Sequence, residues 1–186
     1  SVIELAEKGG FEAVQIRDVA AHAEVALGTL YRRFRSKEDL LLGALELEYE
    51  RLFERVAQKP PRGASPLERI SDFFAIATRV MLRKPNLTRA TLRAVSSGEP
   101  ELMTKVAAFH LRVASLITQA LRGQFGAEIE DLSEQELRLA FLLQQIWFAQ
   151  LVGWAGGLQG QSSVMEQMRF AAELLLKGAE ATPPWS

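Results

Sequence analysis

The segment best suited to chemistry is a short basic stretch near the start of the chain, residues 27–35. If it is helical, Leu27, Leu30 and Phe34 share one face and pack inward. Guanidinium groups can bind guanine O6 and N7, and a threonine methyl can contact a thymine methyl. We therefore predict that this helix enters a DNA major groove. The side chains that would point outward are Thr29, Tyr31, Arg32 and Arg33.

Residues beside this segment are suited to contact the phosphate backbone. Lys37 lies in the first turn of the next predicted helix, where free N–H groups and the helix dipole attract anions. The Tyr31 hydroxyl can bind a phosphate, and Gly28 has no side chain to obstruct a DNA strand. Residues 15–37 carry five basic and two acidic residues, although the whole chain has a net charge of −1. The alternative is a solvated basic helix in an αα-hairpin.

The elements that must hold these residues are helices. The first four are predicted over residues 2–8, 17–23, 27–35 and 37–58. Gly9-Gly10 ends the first, and a tight turn at Glu24-Val25 joins the next two. The inward side of the second helix is predicted to consist of Ile16, Val19, Ala20 and Ala23. Ser36 is a suitable N-cap for the fourth helix, with Asp39 three residues later as in a capping box.

Proline and glycine mark the clearest interruption of the helical pattern, at residues 59–64. Beyond it we predict five further helices, over residues 66–84, 87–95, 101–122, 134–154 and 163–177. The predicted fold is all-α, with about nine helices. A helix-turn-helix domain of three helices is expected over residues 1–45, and a larger helical domain for ligand binding and dimerisation over residues 46–186. Because the first residues are already helical, we expect that the sequence begins inside this helix, without any basic arm that would lie ahead of it.

Composition excludes several classes of protein. Hydrophobic residues make up 48% and charged residues 24% of the chain, as in ordinary globular proteins. The absence of cysteine excludes disulfides and thiolate metal sites and fits a cytoplasmic protein. Residues 139–165 lack charge, but glutamines and glycines interrupt any membrane span. No P-loop, dinucleotide fingerprint, G-x-S-x-G elbow or H-E-x-x-H motif occurs, so we expect neither an enzyme nor a cofactor or metal.

Several motifs together resemble the N-terminal domain of TetR-family transcriptional regulators. They are Lys8-Gly9-Gly10-Phe11, Ile16-Arg17-Asp18-Val19-Ala20, Leu27-Gly28-Thr29-Leu30-Tyr31-Arg32-Arg33-Phe34 and Ser36-Lys37-Glu38-Asp39-Leu40. The resemblance implies a homodimer whose second and third helices bind an operator half-site and whose larger domain binds a small inducer. It also implies DNA contacts at Arg17, Thr29, Tyr31, Arg32 and Lys37.

The chain departs from the family pattern at Glu24, where glycine is usual in the turn. If this residue is left-handed, it costs about 1 kcal/mol and places a negative charge near phosphate. Over most of its length the chain is also similar to the actinobacterial repressors of sterol breakdown, including Lys84-Pro85 and Ile146-Trp147. That similarity implies a hydrophobic effector such as a sterol-derived acid or its CoA thioester.

The helix that ends near Trp154 is apolar almost all round and must be covered on both sides. We predict that it and the last helix form a four-helix interface with a second subunit. The alternative is the central helix of a monomer. A two-fold dimer would place its recognition helices in successive major grooves of a near-palindromic operator. The residues predicted at this interface are Leu142, Ile146, Met165, Met168, Ala172 and Leu175.

A ligand cavity is predicted among the middle helices, mainly apolar with a few polar groups. His110 and Gln144 are its candidate polar groups. The alternative is that these residues form ordinary core, in a structural DNA-binding protein without an effector. An effector should raise the melting temperature only if the cavity exists. The predicted lining residues are Phe73, Phe74, Met81, Leu92, Met103, Phe109, His110, Gln144 and Trp147.

Overall fold

The computed structural model describes residues 1–125 and 133–181. All regular structure in these ranges is helical, which confirms the predicted all-α fold. Over the described part of the chain, a 3₁₀ helix, Pro100–Leu102, accompanies nine α-helices. The helices are α1 Val2–Ala13, α2 Ile16–His22, α3 Leu27–Arg33, α4 Lys37–Gln58, α5 Pro66–Leu82, α6 Pro85–Val95, α7 Met103–Arg122, α8 Glu134–Ala155 and α9 Gln161–Ala181.

The chain forms two compact units. Unit 1 contains Ser1–Arg51 and Met81–Ala107, and unit 2 contains Leu52–Val80 and Ala108–Ser186. The division falls within α4, α5 and α7, so each of these helices contributes residues to both units. Unit 1 thus joins the predicted DNA-binding helices to α6, which lies far along the sequence. The functional boundary that we predict near residue 45 stays a prediction.

The glycine pair in α1 interrupts the helix without ending it. Gly9 and Gly10 leave the helical conformation, and Gly10 has φ of 67°, which favours glycine. Helical structure then resumes and continues to Ala13. The sequence therefore located the break correctly but missed the turn that follows it.

Two of the predicted helix starts are fixed by local hydrogen bonds. At α8, the Ser133 hydroxyl accepts a hydrogen bond from the Glu136 N–H at 3.2 Å, and the Glu136 carboxylate accepts one from the Ser133 N–H at 3.0 Å. At α4, the Ser36 hydroxyl accepts a hydrogen bond from the Asp39 N–H at 3.1 Å. These contacts confirm the predicted cap at Ser133 and the cap at Ser36, because both satisfy free N–H groups.

A tertiary contact fixes the start of α6. The Glu7 carboxylate of α1 accepts a hydrogen bond from the Leu87 N–H at 2.6 Å. The Asn86 side chain donates to the Glu7 carbonyl oxygen at 2.8 Å. α6 therefore begins at Pro85, two residues before its predicted start, because α1 satisfies its free N–H group.

The core of unit 1 packs α1, α2, α4 and α6 together. Leu30 and Phe34 pack against this core from the end of α3. Ala23 is exposed, so its predicted inward position is wrong, because α2 ends one residue earlier and the chain turns there. The buried residues of this core are Ala6, Val14, Val19, Leu40, Leu41, Ala44, Leu87, Ala90 and Ala94.

In unit 2, α8 and α9 pack side by side. One side of α8 is buried at Leu143, Trp147 and Leu151, whereas Phe141 and Val152 on the other side are exposed. The uncharged stretch that ends at Met165 is divided by a loop between α8 and α9. Within residues 1–125 and 133–181, no helix combines the length and hydropathy needed to cross a membrane.

Candidate DNA-binding and effector sites

The α3 surface has the two-sided character that its sequence predicts. Leu30 and Phe34 are half-buried against the core of unit 1. On the outer side, the Arg32 guanidinium donates a hydrogen bond to the Thr29 hydroxyl at 3.3 Å. This surface can present charged and polar groups to base edges without unfolding the helix. The exposed side chains of α3 are Thr29, Tyr31, Arg32 and Arg33.

A groove beside α3 is lined by three of the residues predicted to contact DNA. It has a volume of about 400 Å³, and Arg17, Tyr31 and Lys37 lie along it. Two cations and a phenol can bind phosphate oxygens at such a place. The structure thus brings together residues of α2, α3 and α4. The other lining residues of the groove are Gln15, Ile16 and Asp18.

The turn between α2 and α3 contains a left-handed residue. Glu24 has φ of 54° and is exposed. The Val25 N–H donates to the Ala20 carbonyl at 3.0 Å and closes the turn. Glu24 therefore meets the condition for backbone strain, and glycine would fit this position with less strain, by about 1 kcal/mol.

Gly28 lies in the first turn of the exposed helix. A Cβ atom at this position would meet no atom of the chain within 4 Å. The fold itself therefore does not require glycine there. The predicted close approach of a DNA strand to Gly28 stays a prediction.

The end of α3 is tied to the segment after α6, within unit 1. The buried Asp39 carboxylate accepts the Arg35 N–H at 3.1 Å and forms a salt bridge with Lys105. Ser36 donates to Glu99 at 3.2 Å, and an Arg35 guanidinium nitrogen lies 3.1 Å from a Glu101 carboxylate oxygen. These contacts hold the α3–α4 junction against residues 99–105.

The predicted polar pair of the effector site is in contact in unit 2. Gln144 Nε2 lies 2.6 Å from His110 Nδ1, and Gln144 is 2% exposed. Its Oε1 atom is buried without a hydrogen-bond partner. Burial lowers the pKa of His110, so its ring is neutral at pH 7. A buried amide oxygen without a donor costs about 1–3 kcal/mol unless another molecule supplies one.

Aromatic rings surround this part of unit 2. The Phe148 ring lies 6.4 Å from the His110 ring, and Phe74 lies 5.7 Å from Trp147. The Trp147 N–H donates to the Thr78 hydroxyl at 3.0 Å. Thr78 and Phe148 are not among the residues predicted to line the cavity. The spacing of Phe74 and Thr78, four residues apart on one predicted helix, was the available clue.

The other predicted effector residues are distributed between the two units. Phe73 is buried in unit 2, and the half-buried Phe109 ring lies 5.9 Å from that of His110. Met81, Leu92 and Met103 belong to unit 1. Met103 is 64% exposed. The structure therefore groups the aromatic residues with His110 and Gln144 and leaves the role of the two methionines and Leu92 as a prediction.

The residues predicted at the dimer interface differ in their placement. Leu142 is exposed, and Ile146, Met165 and Leu175 are half-buried. Met168 and Ala172 are buried within the chain's own core, so their side chains have no surface to offer a partner. The apolar surface that remains exposed on α8 and α9 includes Leu137, Phe141, Val152, Phe170 and Leu174.

A helical fold with an exposed basic helix after a tight turn defines a helix-turn-helix DNA-binding protein. The family model of "Bacterial regulatory proteins, tetR family" matches residues 3–44, and that of "Tetracyclin repressor-like, C-terminal domain" matches residues 63–175. The chain belongs to the TetR family of transcriptional regulators. TetR-family regulators bind operator DNA as dimers and respond to small-molecule effectors, so membership of this family supports the predicted regulatory function.

Comparison with individual proteins gives the same family. The chain is 35% identical to the HTH-type transcriptional repressor KstR of Rhodococcus jostii, over 98% of this chain and 82% of the relative. It is 32% identical to KstR of Mycobacterium tuberculosis, over 92% and 76% of the two chains. A crystal structure of a TetR transcriptional regulator from Rhodococcus sp. RHA1 is similar with a TM-score of 0.83 and 28% identity, over 94% and 91%.

Proposed function

We propose that this chain is a cytoplasmic repressor that leaves a near-palindromic operator when a hydrophobic effector binds, and that it has no catalytic activity. Its similarity to transcriptional repressors supports the direction of regulation. The observation that carries the DNA-binding part is the exposed set of α3 side chains beside the Arg17–Lys37 groove. In this proposal α3 contacts base edges, and Arg17, Tyr31 and Lys37 contact phosphates.

The experiment is to select duplexes from a randomised library with the wild-type protein and then compare two variants. Arg32→Ala should relax the base preference by about 1–3 kcal/mol at one position. Lys37→Ala should weaken all sequences about equally and reduce the salt slope by about one. Equal losses of preference in both variants would contradict this division of roles. The selection of no duplex at low salt would contradict the proposal as a whole.

For the dimer, the exposed apolar surface of α8 and α9 is the proposed interface. It retains Leu142 and Ile146 from the prediction and adds Phe141, Phe170 and Leu174, which lie on accessible faces. Phe141→Glu should place a charge in this interface and raise the dissociation constant of the dimer by at least tenfold. Sedimentation at micromolar concentration measures it, and Leu158→Glu, at an exposed loop residue, is the control. An unchanged dimer in Phe141→Glu would contradict this interface.

The effector site is proposed at His110 and Gln144, among the aromatic rings of unit 2. The buried Gln144 Oε1 without a donor supports this site, because a ligand hydroxyl or amide can satisfy it. The aromatic surroundings support an apolar body, such as a sterol-derived acid or its CoA thioester. A distant structural relative, FadR of Bacillus subtilis, was crystallised in complex with stearoyl-CoA, so a long acyl-CoA is a suitable second probe.

Thermal shift tests the effector site. A steroid acid, its CoA thioester or stearoyl-CoA should raise the melting temperature of the wild-type protein and release the selected duplex. Gln144→Leu should reduce this shift, whereas Gln145→Leu, at the exposed neighbouring residue, should preserve it. Equal shifts in both variants would exclude Gln144 as a contact. The absence of any shift with all three probes would favour a DNA-binding protein without an effector.

A further inference from the structure

Four residues of unit 1 form a charged cluster around one aromatic ring: Phe11, Glu12, Lys37 and Arg93. The Lys37 ammonium and the Arg93 guanidinium each lie 4.0 Å from the centre of the Phe11 ring. The Glu12 carboxylate receives both cations, with Arg93 at 2.7 Å and Lys37 at 3.3 Å. Cations at this distance from a ring are attracted by its electrons as well as by the carboxylate. We call this group the Phe11 cluster.

The cluster joins three helices that are separate in the sequence. Phe11 and Glu12 lie in α1, Lys37 begins α4 and Arg93 lies in the last turn of α6. Hydrogen bonds from Arg93 and then Lys37 lower the pKa of Glu12, so the carboxylate is ionised at neutral pH. One negative charge is therefore shared between two positive charges, and the cluster has a net charge of +1.

Lys37 also lines the groove that contains Arg17 and Tyr31. Its ammonium group is thus close to Glu12 and also available to an anion in the groove. A phosphate in this groove and the Glu12 carboxylate compete for the same ammonium group. Arg93 lowers the energetic cost of this competition, because it can neutralise Glu12 when Lys37 turns to the phosphate.

We propose that Arg93 of α6 is a positioning residue for DNA binding, which acts by neutralising Glu12 so that Lys37 can turn to a DNA phosphate. The proposal rests on the proposed role of Lys37 in binding phosphate. Arg93 need not touch DNA in this arrangement. Because Arg93 stays paired with Glu12, Lys37 can leave Glu12 for the phosphate without an uncompensated negative charge beside the DNA. Without Arg93, the carboxylate retains Lys37 and repels the phosphate.

A double-mutant cycle tests this role, with the duplex that the wild-type protein selects as the probe. Arg93→Gln should weaken binding of this duplex by about threefold to tenfold at 50 mM salt, and by less at 300 mM because salt screens exposed charges. Glu12→Gln should bind at least as tightly as the wild type, since in this variant no carboxylate at residue 12 competes with the DNA phosphate for the Lys37 ammonium group. In the Glu12→Gln background, the further change Arg93→Gln should alter the affinity by less than about twofold.

The matched control is Arg89→Gln, which removes the same charge one turn earlier on α6. The Arg89 guanidinium lies 3.5 Å from the Asn86 side-chain oxygen, whereas Arg93 and Lys37 are the cations that lower the pKa of Glu12. This variant should bind within about twofold of the wild type in both backgrounds. Circular dichroism melts of every variant establish that the comparison is made between folded proteins.

Three results would overturn the inference. An equal loss from Arg93→Gln with and without Glu12 would show that Arg93 acts on DNA directly or on the fold. Weaker binding by Glu12→Gln would show that Glu12 supports the contact instead of competing for it. A loss in Arg89→Gln equal to that in Arg93→Gln would show a general effect of charge. The proposed DNA-binding function itself would fail differently, by the selection of no duplex.

Discussion

The side chains proposed as functional in unit 1 lie mostly at the surface, whereas those proposed in unit 2 are enclosed by aromatic rings. In unit 1, Tyr31 and Arg32 are exposed, and Glu12 is shared between the exposed Arg93 and the half-buried Lys37. In unit 2, Gln144 is 2% exposed and Thr78 is fully buried. The two units therefore differ in what stabilises a polar group. Water does so in the first, and protein hydrogen bonds must do so in the second.

This difference determines what a substitution changes. An exposed ion pair contributes at most about 1 kcal/mol to stability, so changes on the surface of α3 should alter DNA affinity with little effect on folding. A buried polar group that loses its partner costs about 1–3 kcal/mol, so changes in unit 2 should destabilise the fold. The following substitutions, in order of decreasing effect, can contradict or refine this comparison.

Trp147→Ala is expected to have the largest effect on stability. It removes a buried ring that contacts Phe74 and leaves the Thr78 hydroxyl without its donor. We expect the free energy of unfolding to fall by about 3–5 kcal/mol. Urea denaturation followed by circular dichroism measures it.

Two controls accompany this prediction. Trp147→Phe retains a ring but loses the N–H group, so it should cost less, about 1–2 kcal/mol. Arg32→Ala on the exposed face of α3 should stay within about 0.5 kcal/mol of the wild type. If Arg32→Ala cost as much as Trp147→Ala, the contrast between the two units would be disproved.

Glu136→Gln should have an intermediate effect that depends on pH. Arg122 donates to both carboxylate oxygens, at 2.6 and 2.7 Å, and Ser133 donates to the same group. These contacts, against the cost of burial, lower the pKa of Glu136 to about 2. We expect the substitution to cost about 1–2 kcal/mol at pH 7, from the weakened ion pair and cap.

The sign of the pH dependence follows from the lowered pKa. The wild-type advantage should be complete well above pH 4.5 and should disappear as the pH falls from 4.5 towards 2, because the unfolded carboxylate takes up a proton in this range while the folded one stays ionised until the pH nears 2. Urea denaturation at pH 7 and pH 3 measures the difference. Glu134→Gln is the matched control, since Glu134 is exposed and forms its salt bridge with Arg138, one turn further along the same helix. An equal cost for both substitutions at pH 7 would contradict the prediction.

Glu24→Gly should have the smallest effect, and it should be stabilising. Glycine adopts the φ of 54° at this turn without the strain of a side chain. We expect a gain of about 0.5–1 kcal/mol in the free energy of unfolding, after the greater entropy of glycine in the unfolded chain is subtracted.

Glu24→Ala separates the backbone effect from the charge effect. Alanine removes the carboxylate but retains the left-handed strain, so it should leave stability unchanged. Both variants should bind the selected duplex more tightly than the wild type, because each removes a negative charge near phosphate. If alanine stabilised the protein as much as glycine, the strain at Glu24 would be disproved.

Much of the local structure could be predicted because local interactions fix it. The helix α4 begins and ends at its predicted residues, Lys37 and Gln58, and its start has a serine cap. The outward face of α3 was also predicted correctly. Each depends on side-chain periodicity or backbone geometry within a few residues. The start of α6 could not be predicted, because Glu7, far away in the sequence, binds its free N–H group.

Local residue patterns specify the helical class, the family and the basic helix that faces outward, since spacing and capping are local properties. Long-range packing places α6 in one core with α1, brings Arg93 and Lys37 to Glu12, and buries Met168 and Ala172. An amphipathic pattern shows that a helix has an apolar face but not which element covers it. Those contacts join residues far apart in the chain, and they are fixed by packing of the whole fold rather than by the pattern of any one segment.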